Sequence, residues 1–464
     1  MAINKPKGTE DLLGEDALTW VYVRDVAESV FTSYGFKYLE VPMFEQVDVF
    51  VHGLGTATDV VRKEMFSVYS PDGYAKISEG RADELKPDQR LALRPEATAG
   101  TVRAVVEHNL LEQGGAPVRL WYAGSMFRAE RPQKGRLREF RQIGAECFGT
   151  ADPAADAEVI IMFMRFIEQL QLPRESVRLL INSMGDDQCR PAYRESVAAY
   201  MREHKDELCE ECQRRIETNP LRAFDCKNEA CHKIMEDAPR ITDALCDDCK
   251  AHYEQVKHYL DSQGIRYEED PRLVRGLDYY TRTVFEVQVT DGLGAQNAIG
   301  GGGRYDKLVE TIGGKPTPAL GFASGFERIA LALEAANAPL PVPAKPDVYV
   351  AVAGSEVSAA SFDLVQKLRD NGFIVECDRQ NRSLKSQFKL ADKCEATTVL
   401  VLGPDELAQG VVTLRDMLTH DQKTIAFADV IQELEHVLGY DEDHDHECCC
   451  EDDDHECCCD HNEA

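Results

Sequence analysis

The chain has 464 residues, 43% of them hydrophobic, and a formal net charge of −30 at pH 7. A chain of this length can bury several cores, and its length favours about three domains. Because lysine and arginine hold phosphate backbones, the negative charge excludes extensive coating by nucleic acid and leaves only local basic patches for such contacts. The sequence shows no signal peptide and no long apolar run, so we expect a soluble, cytoplasmic protein whose sixteen cysteines stay reduced.

The first 334 residues are predicted to form an antiparallel sheet with helices packed against it. A helical pattern runs from Leu18 to Tyr34, and a polar, cysteine-bearing block at 185–262 is typical of an inserted helical module. Long strand-like runs joined by short loops favour antiparallel pairing. The runs are "VRLWYAGSMFRAE" (118–130), "LREFRQIGAECFG" (137–149) and "RTVFEVQVT" (282–290). We therefore predict one α+β domain at 1–334 with a helical insertion at 185–262.

A proline-rich segment, "AANAPLPVPAKPD", predicts a linker at 335–346. Behind it, three short β-branched runs alternate with helix-like stretches such as "AASFDLVQKLRDN". This spacing is typical of βαβ units, so we expect a small α/β domain at 347–440. Lys385, Lys389 and Lys393 recur at every fourth residue, which would place them on one helix face. Such a face suits nucleic acid, although a solvated surface would explain it as well.

The chain ends in an acidic segment, Asp441 to Ala464, with twelve acidic residues, four histidines and six cysteines but no lysine or arginine. This composition cannot bury enough apolar surface to offset the entropy of ordering, so we predict a disordered tail. Its cysteines and histidines leave open both soft-metal binding and a merely solvated end.

Two polar stretches of the front section are candidate pocket linings. A strand places alternate residues on one face, so each stretch would present three side chains together. The sets are Gln142, Gly144 and Glu146 in the predicted strand 137–149, and Arg94, Glu96 and Thr98 in "RPEAT". A solvent-facing polar stripe is the alternative for either set.

Three further segments suit a phosphate-bearing ligand. The stretch "FRAERPQKGRLREFRQIGAECFG" (127–149) holds six lysines and arginines around a loop marked by Pro132 and Gly135. The glycine-rich "GGGGRYDKL" (300–308) lacks the P-loop ending and the dinucleotide spacing, so close approach to a ligand and a tight turn both remain open. Arg328 lies in the first turn of a predicted helix, where it would suit a phosphate, with a surface arginine as the alternative.

Five segments in order resemble the histidyl-tRNA synthetase family of class II aminoacyl-tRNA synthetases, over essentially Met1 to Tyr440. They are "YLEVPMFE" (motif 1), "FRAERPQKGRLREFRQIGAECFG" (motif 2), "PALGFASGFERIALAL" (motif 3), and two signatures of the histidine enzymes, "LVRGLDYYTRTVFE" and "GGGRYDKLVE". The resemblance implies a six-stranded antiparallel catalytic sheet with a helical insertion, a C-terminal anticodon-binding α/β domain and a homodimer. The implied reaction attaches L-histidine to tRNA(His) through a histidyl-adenylate, with ATP as substrate and Mg²⁺ bridging its phosphates.

The resemblance also implies roles for individual residues. Arg275 and Arg128 would be the catalytic cations beside the α-phosphate. ATP would be bound by Arg128, by Glu130 near the adenine, and by Arg328 at the γ-phosphate. Histidine would be held by Glu96, Thr98, Gln142, Glu146, Tyr279, Tyr280 and Tyr305. Gln133 and Arg136 would meet the acceptor end of the tRNA.

Cysteines in the predicted insertion raise the question of a structural metal. They form two Cys-x2-Cys pairs with two further cysteines between them: Cys209 and Cys212, Cys246 and Cys249, and Cys226 and Cys231 in the middle. The two pairs are further apart than in a usual zinc ribbon, although one four-thiolate site would be possible. The resemblance implies no zinc, so no metal is assigned at this point.

Two other interpretations remain open from the sequence. The synthetase-like regulatory subunit of ATP phosphoribosyltransferase resembles only the catalytic half, and Arg128, Arg275 and Arg328, together with the back domain, argue against it. A metal-handling protein defined by its tail is the second, but twenty-four residues cannot explain the other 440.

Overall fold

The computed structural model describes residues 3–56, 58–114, 117–224, 226, 228–274, 279–290, 293 and 297–440. The chain divides into two compact units between Pro341 and Val342. Among the described residues, no helix is both long enough and apolar enough to cross a membrane. The acidic tail, Asp441 to Ala464, for which disorder is predicted, lies outside the described residues.

The first unit combines α-helices and β-strands. Its helices are α1 (Glu15–Ser33), α2 (Val47–Leu54), α3 (Pro71–Ser78), α4 (Thr98–Glu107), α5 (Leu110–Gly114), α6 (Pro153–Gln169), α7 (Arg190–Glu203), α8 (Glu210–Thr218), α9 (Glu229–Glu236), α10 (Asp247–Ser262), α11 (Leu308–Thr311) and α12 (Phe326–Ala335). Its strands are β1 (Lys37–Tyr38), β2 (Phe44–Gln46), β3 (Ser67–Val68), β4 (Leu91–Leu93), β5 (Val118–Phe127), β6 (Glu139–Phe148), β7 (Val177–Ser183), β8 (Glu268–Glu269), β9 (Thr281–Val289), β10 (Ala298–Arg304) and β11 (Ala319–Gly325).

An eight-stranded sheet with the order β1-β5-β6-β11-β10-β9-β7-β8 forms the centre of this unit. The six strands from β5 to β7 are antiparallel, whereas the edge strands β1 and β8 pair in parallel. The predicted six-stranded antiparallel sheet is therefore right for the centre and wrong for the whole sheet, which is mixed. Each edge strand has only two residues, too few for a period-two pattern to reveal. A smaller sheet has the order β2-β4-β3.

The two faces of the large sheet are covered differently. Ile143, Ala145 and Cys147 of β6 belong to a core that includes residues of α1, α6, α10 and α12. This confirms the alternation predicted for the strand, because the intervening residues face the other side. A second core packs α7, α8 and α9 with residues of the opposite face. Helix α10, the last within 185–262, packs against α6 rather than with α7 to α9.

A buried ion network ties the first core together. The Arg304 guanidinium on β10 pairs with the Asp156 carboxylate on α6, and both side chains are 1% exposed. The Asp156 carboxylate also lies 3.3 Å from Nε2 of His252 on α10. Helix α6 itself begins with a cap, since the Asp152 carboxylate accepts the Ala154 N–H at 2.9 Å and Pro153 follows directly.

The second unit is a five-stranded sheet covered by helices on both faces. Its elements are β12 (Val348–Val352), α13 (Ser358–Asp370), β13 (Val375–Cys377), α14 (Leu384–Lys393), β14 (Thr398–Leu402), α15 (Pro404–Gln409), β15 (Val411–Asp416), β16 (Gln422–Ala426) and α16 (Val430–Leu438). Strands β13, β12 and β14 are parallel, and β15 and β16 follow in antiparallel pairing. One core includes α13 and α16 and the other includes α14. The predicted α/β fold is confirmed.

Candidate active site

One face of the large sheet forms the floor of a cavity of about 830 Å³. The floor comes from β6, β10 and β11, and the walls come from the β5–β6 loop, the segment after β4, and the insertion. The residues predicted from the sequence that line it are Glu96, Thr98, Arg128, Glu130, Arg136, Gln142, Glu146, Tyr279, Tyr280, Tyr305 and Arg328. Segments that are far apart in the sequence therefore meet in one cavity of the first unit.

Glu146 is a carboxyl group buried in the cavity floor, at 1% exposure. The Thr98 hydroxyl donates to its Oε1 at 2.7 Å, the Tyr122 hydroxyl donates to the same oxygen at 3.3 Å, and the Tyr305 hydroxyl donates to Oε2. Burial raises the pKa of Glu146 to about 8, although the hydroxyls of Tyr305 and Thr98 oppose the shift. Gly321 on the neighbouring strand leaves room for this carboxyl, because a Cβ there would overlap with Oε2.

Gln142 lies on the same face of β6, four residues before Glu146. Its Oε1 atom is buried and has no hydrogen-bond partner among the described residues. A buried acceptor without a partner costs free energy, so such atoms in native proteins call for an explanation. A ligand with an N–H donor in the cavity would supply the missing partner.

The segment after β4 does not continue as a strand, so the period-two rule applied to "RPEAT" is wrong. β4 ends at Leu93, and Glu96 accepts the N–H groups of Thr98 and Ala99, at 2.7 and 3.0 Å, at the start of α4. Burial raises the pKa of Glu96, while these N–H groups oppose the shift. Arg94 turns away from the cavity and donates to Ser125 O at 2.8 Å and to Val41 O. Glu96 and Thr98 thus reach the cavity and Arg94 does not.

Three tyrosines lie together in the lining of the cavity. The ring of Tyr279 lies 4.6 Å from that of Tyr280 and 5.5 Å from that of Tyr305, measured between centroids. Burial raises the pKa of Tyr279 and of Tyr305 well above the ordinary value, so both keep their hydroxyl protons. The tyrosines therefore present a neutral aromatic wall beside Glu146.

Arginines supply positive charge to the cavity. Arg128 donates from Nε to Pro95 O at 2.9 Å and its guanidinium lies 5.2 Å from the Phe140 ring centroid. Arg328, in the first turn of α12 as predicted, donates from Nη1 to Ala298 O at 2.7 Å. Burial, together with nearby Arg136, lowers the pKa of Arg328. The guanidiniums are held in place and line the cavity, so they can meet an anionic ligand.

The loop between β5 and β6 is a tight turn at the cavity edge. Gln133 and Arg136 exchange backbone hydrogen bonds, each of 2.9 Å, and Gly135 has φ of 71°. The Arg136 guanidinium lies 3.1 Å from the Glu130 carboxylate. Gln133 is exposed and is not among the residues that line the cavity. The structure therefore brings Glu130 and Arg136 to the cavity and leaves Gln133 on the outer side of the turn.

The catalytic candidate Arg275 lies outside the described residues, which stop at Val274 and resume at Tyr279. The glycine-rich run forms strand β10 and is not a tight turn. A Cβ at Gly300 would lie 2.6 Å from the Phe163 ring, and both Gly300 and Gly301 line the cavity. The glycines thus allow close packing of the sheet under the ligand space.

Sequence patterns do not predict some of the residues in and around the cavity. Tyr122 stands opposite Gly144 in the β5–β6 pair, a relation that only the strand register gives. Glu327 accepts the Arg141 N–H at 2.9 Å, and burial raises its pKa to about 7. Insertion residues also reach the cavity, among them Glu211, Arg215, Arg222, Cys226 and Asn228. No local pattern marked them, because their position depends on how the insertion packs.

The insertion cysteines form two groups and not one. Cys209 and Cys212 lie with Cys226 and Cys231, and Cys246 and Cys249 lie with Asp186 and Cys189. A single site made from the two Cys-x2-Cys pairs is therefore wrong. The sequence contained a signal for the actual grouping, since Asp186 and Cys189 have the same spacing of three as each cysteine pair.

Comparisons with known proteins identify the family to which the chain belongs. A family model described as histidyl-tRNA synthetase matches residues 8–329, and one described as anticodon binding domain matches 347–436. The histidine–tRNA ligases of Halothermothrix orenii and Moorella thermoacetica are 43% and 45% identical over 94% and 93% of this chain, and over 99% and 97% of their own. The crystal structure of apo S. aureus histidyl-tRNA synthetase matches with a TM-score of 0.76 at 33% identity, covering 94% of this chain and all of that one. This chain belongs to the histidyl-tRNA synthetase family.

Proposed function

We propose that this chain is a histidine–tRNA ligase that uses ATP to form histidyl-adenylate and then transfers the histidyl group to tRNA(His). The observation that carries the proposal is the cavity, in which a buried carboxyl and an unpartnered amide acceptor share a floor with fixed arginines. The first two suit an amino acid with an N–H-bearing side chain, and the arginines suit phosphates. The presence of a second unit that matches an anticodon-binding family favours this enzyme over a regulatory subunit that lacks it.

Glu146 and Gln142 form the proposed amino acid subsite. The Glu146 carboxyl would accept the imidazole N–H of histidine, with Tyr280 on the other side of the ring. The Gln142 Oε1 would accept from the substrate amino group, together with Glu96 and Thr98. Tyr279 and Tyr305 would exclude water, and the Tyr305 hydroxyl orients Glu146 through the hydrogen bond already described.

Arg128 and Arg328 form the proposed phosphate subsite, with Arg275 completing it. As the histidine carboxylate attacks the α-phosphorus and pyrophosphate leaves, negative charge gathers on the nonbridging oxygens. Guanidiniums that are already in place stabilise this charge without reorganisation. The Glu286 carboxylate lines the cavity and suits Mg²⁺, which would be held by this carboxylate and by ATP and would neutralise phosphate charge.

The acceptor end of the tRNA would approach the turn between β5 and β6. Arg136 and exposed Gln133 lie there, and Arg136 is paired with Glu130. ATP binding at Glu130, near the adenine, would compete with this pair and release Arg136 for the tRNA backbone. ATP would therefore bind before Arg136 contacts the acceptor end of the tRNA.

A histidine-dependent exchange of pyrophosphate into ATP tests the proposed function. We expect exchange with histidine and none with other amino acids, and charging of tRNA(His) when tRNA is added. A protein that binds histidine but shows no exchange would instead be the regulatory subunit.

Arg275 is proposed as the catalytic cation beside the α-phosphate. Arg275→Ala should slow adenylate formation by about a hundredfold, roughly 3 kcal/mol of transition-state stabilisation, while histidine and ATP still bind. Arg275→Lys should recover only part of the rate, since lysine lacks the planar fork that holds two oxygens. Rapid-quench measurement of adenylate formation decides this, and a near-normal rate in the alanine variant would exclude the role.

A homodimer and a cytoplasmic location complete the proposal. Tyr38, Met43 and Phe44 around motif 1 are 51–52% exposed, which is unusual for large apolar side chains so close together. Phe44→Asp should therefore shift the protein towards monomer in light scattering. Leu418→Asp, at an exposed leucine of the second unit, should leave the mass unchanged.

The cytoplasm supplies the proposed substrates, ATP and tRNA.

A further inference from the structure

The insertion contains two groups of side chains that converge as metal ligands do. We call the first the four-cysteine cluster; its ligand atoms, the sulfurs of Cys209, Cys212, Cys226 and Cys231, all lie within 4.8 Å of one another. We call the second the Asp186 cluster; it joins a carboxylate oxygen of Asp186 to the sulfurs of Cys189, Cys246 and Cys249 within the same distance. All of these cysteines are free thiols.

The distance between sulfurs in the four-cysteine cluster suits a bound metal better than a disulfide. The sulfurs of Cys209 and Cys226 are 3.8 Å apart. A disulfide requires about 2.05 Å. Two sulfurs bound to one tetrahedral zinc at about 2.3 Å lie about 3.8 Å apart. The thiols are therefore already spaced for a shared ion.

Helix N-termini surround the thiols in both clusters. Cys209 directly precedes α8 and Cys212 lies in its first turn, and Cys246 and Cys249 hold the same positions in α10. The partial positive charge of a helix N-terminus favours the thiolate, which is the form that binds metal. Both Cys-x2-Cys pairs therefore occupy positions where thiolates are stabilised.

Backbone N–H groups add a second kind of support for thiolates. The Cys209 N–H donates to the sulfur of Cys231 at 3.2 Å, and the Asp186 N–H donates to the sulfur of Cys189 at 3.3 Å. Hydrogen bonds of this kind orient metal ligands and favour their charged form. The Asp186 carboxylate is oriented as well, since Arg282 Nη2 lies 3.3 Å from its Oδ2.

The size of the module explains why it would need an ion. Helices α8 and α9 have nine and eight residues, too few to be stable alone. The second cysteine of each Cys-x2-Cys pair is buried: Cys212 is 0% exposed and Cys249 is 1% exposed. A tetrahedral ion would connect α8 and α9 in addition to the apolar core that they share.

We infer that the insertion binds two structural zinc ions, one in the four-cysteine cluster and one in the Asp186 cluster. Structural zinc is bound tetrahedrally by four ligands, and four thiolates, or three thiolates and a carboxylate, can supply them. The four-cysteine cluster lies beside the cavity, because Cys226, Arg215 and Arg222 contribute to its wall. Its ion would therefore hold the insertion wall against the ligand space.

Zinc content of full-length variants tests the inference. Protein prepared without chelator is desalted, and zinc per chain is measured by mass spectrometry for wild type, Cys212→Ser, Cys249→Ser and the control Cys147→Ser. Cys147 is buried in the sheet core, away from both clusters. Each cluster variant should hold one zinc fewer than wild type and the control should lose none. Any zinc bound to the cysteine-rich tail is the same in all four proteins, so it does not change the difference between a variant and wild type.

Variants that hold as much zinc as wild type would overturn the inference, and iron at the same stoichiometry would overturn the choice of zinc. Alkylation of the wild-type chain with iodoacetamide, followed by peptide mass spectrometry, avoids the risk that a variant misfolds. Cys209, Cys226 and Cys246 are half-buried, as are the reference residues Cys377 and Cys394. Cys209, Cys226 and Cys246 should resist alkylation until a chelator is added. Cys377 and Cys394 should be alkylated to the same extent before and after chelation. Equal labelling of all five before chelation would also overturn the inference.

Discussion

Glu146 has three hydroxyl partners and no cationic partner among the described residues. Its raised pKa of about 8 means that much of the free enzyme carries a neutral carboxyl at pH 7. The ionised form is the stronger acceptor for an imidazole N–H, and a rise in pH through about 8 ionises it. The chemistry of this one residue therefore links histidine recognition to pH.

The KM for histidine should fall as the pH rises from about 7 to about 8.5, while the KM for ATP changes little. Glu146→Gln removes the titrating group, so its histidine KM should be higher, by roughly 1–3 kcal/mol of binding, and lose this pH dependence. Pyrophosphate exchange at several pH values measures both constants. The same pH profile in the glutamine variant would show that another group titrates.

Gly321 leaves room for the Glu146 carboxyl because it has no side chain. Gly321→Ala would place a methyl group onto the Glu146 carboxyl and Ala145 O, so we expect the histidine KM to rise at least tenfold and the melting temperature to fall. Gly325→Ala, on the same strand, is the matched control because a Cβ there meets nothing within 4 Å. Exchange kinetics and thermal melts compare the two, and equal effects would argue against a specific role for Gly321.

The residues of the site were predictable where the local backbone is regular. Gln142 and Glu146 lie in a ten-residue strand, so period two placed them correctly on the cavity face. Arg94 was misplaced because the chain leaves the strand at Leu93 and Glu96 instead starts a helix. Tyr122 was missed because its contact with Glu146 depends on pairing between strands, which single-strand periodicity does not contain.

At the scale of elements, the Asp156 network joins α6, α10 and β10. Burial alone would raise the pKa of Asp156, but His252 and Arg304 outweigh it and hold the pKa below its ordinary value. A depressed folded-state pKa contributes stability above the unfolded value of about 3.9 and loses it as the pH falls through the folded value. The Asp156 carboxylate is therefore ionised at neutral pH, and its contribution to stability is lost only in acid.

Asp156→Asn should lower the free energy of unfolding by about 3–5 kcal/mol, because it leaves the buried Arg304 charge with only the partly exposed Asp306 carboxylate, 3.3 Å away, as its ionic partner. Glu158→Gln on the same helix is the control: Glu158 pairs with Arg119 at 2.8 Å, but their side chains are 37% and 30% exposed. The Glu158–Arg119 pair should contribute less than about 1 kcal/mol to the free energy of unfolding. Urea titrations at pH 7 measure both, and a small effect of Asp156→Asn would mean that the network is not a stabilising junction.

Elements with long patterns were predicted well and short ones were not. The strands β5, β6 and β9 and the helix α12 follow clear periodicities, and all were predicted near their observed bounds. Strands β1 and β8 have two residues each and carry no pattern. The cysteine grouping failed for another reason: the thiols meet through tertiary packing, and sequence spacing alone does not determine which pairs approach each other.

At the scale of the whole molecule, the cavity belongs entirely to the first unit, and the match to an anticodon-binding family belongs to the second. The proline-rich segment and the βαβ spacing behind it predicted two separate parts, and the family resemblance implied the anticodon-binding role of the second. The chain divides between Pro341 and Val342, inside the proline-rich segment, while the other predicted boundaries stay predictions. Adenylate formation should accordingly depend on the first unit and tRNA recognition on both.

Helix α14 is the part of the second unit that we expect to contact tRNA. It is fixed to the sheet by Gln387, which exchanges 2.8 Å hydrogen bonds with both backbone groups of Val352. Its opposite face presents Lys385, Lys389 and Lys393, all exposed as predicted. In a chain with a net charge of −30, three lysines on one face provide a local positive surface that a phosphate backbone can use.

Replacing all three lysines with glutamate should weaken tRNA(His) binding at least tenfold and leave histidine-dependent pyrophosphate exchange unchanged. If each lysine meets a phosphate, the slope of log affinity against log salt should become shallower by roughly two to three. Lys389→Glu and Lys367→Glu form a matched pair, since Lys367 is also exposed but lies on α13. Filter binding at several salt concentrations measures the slope. Equal loss in the two single variants would indicate a general charge effect, and an unchanged slope in the triple variant would remove α14 from the tRNA-binding surface.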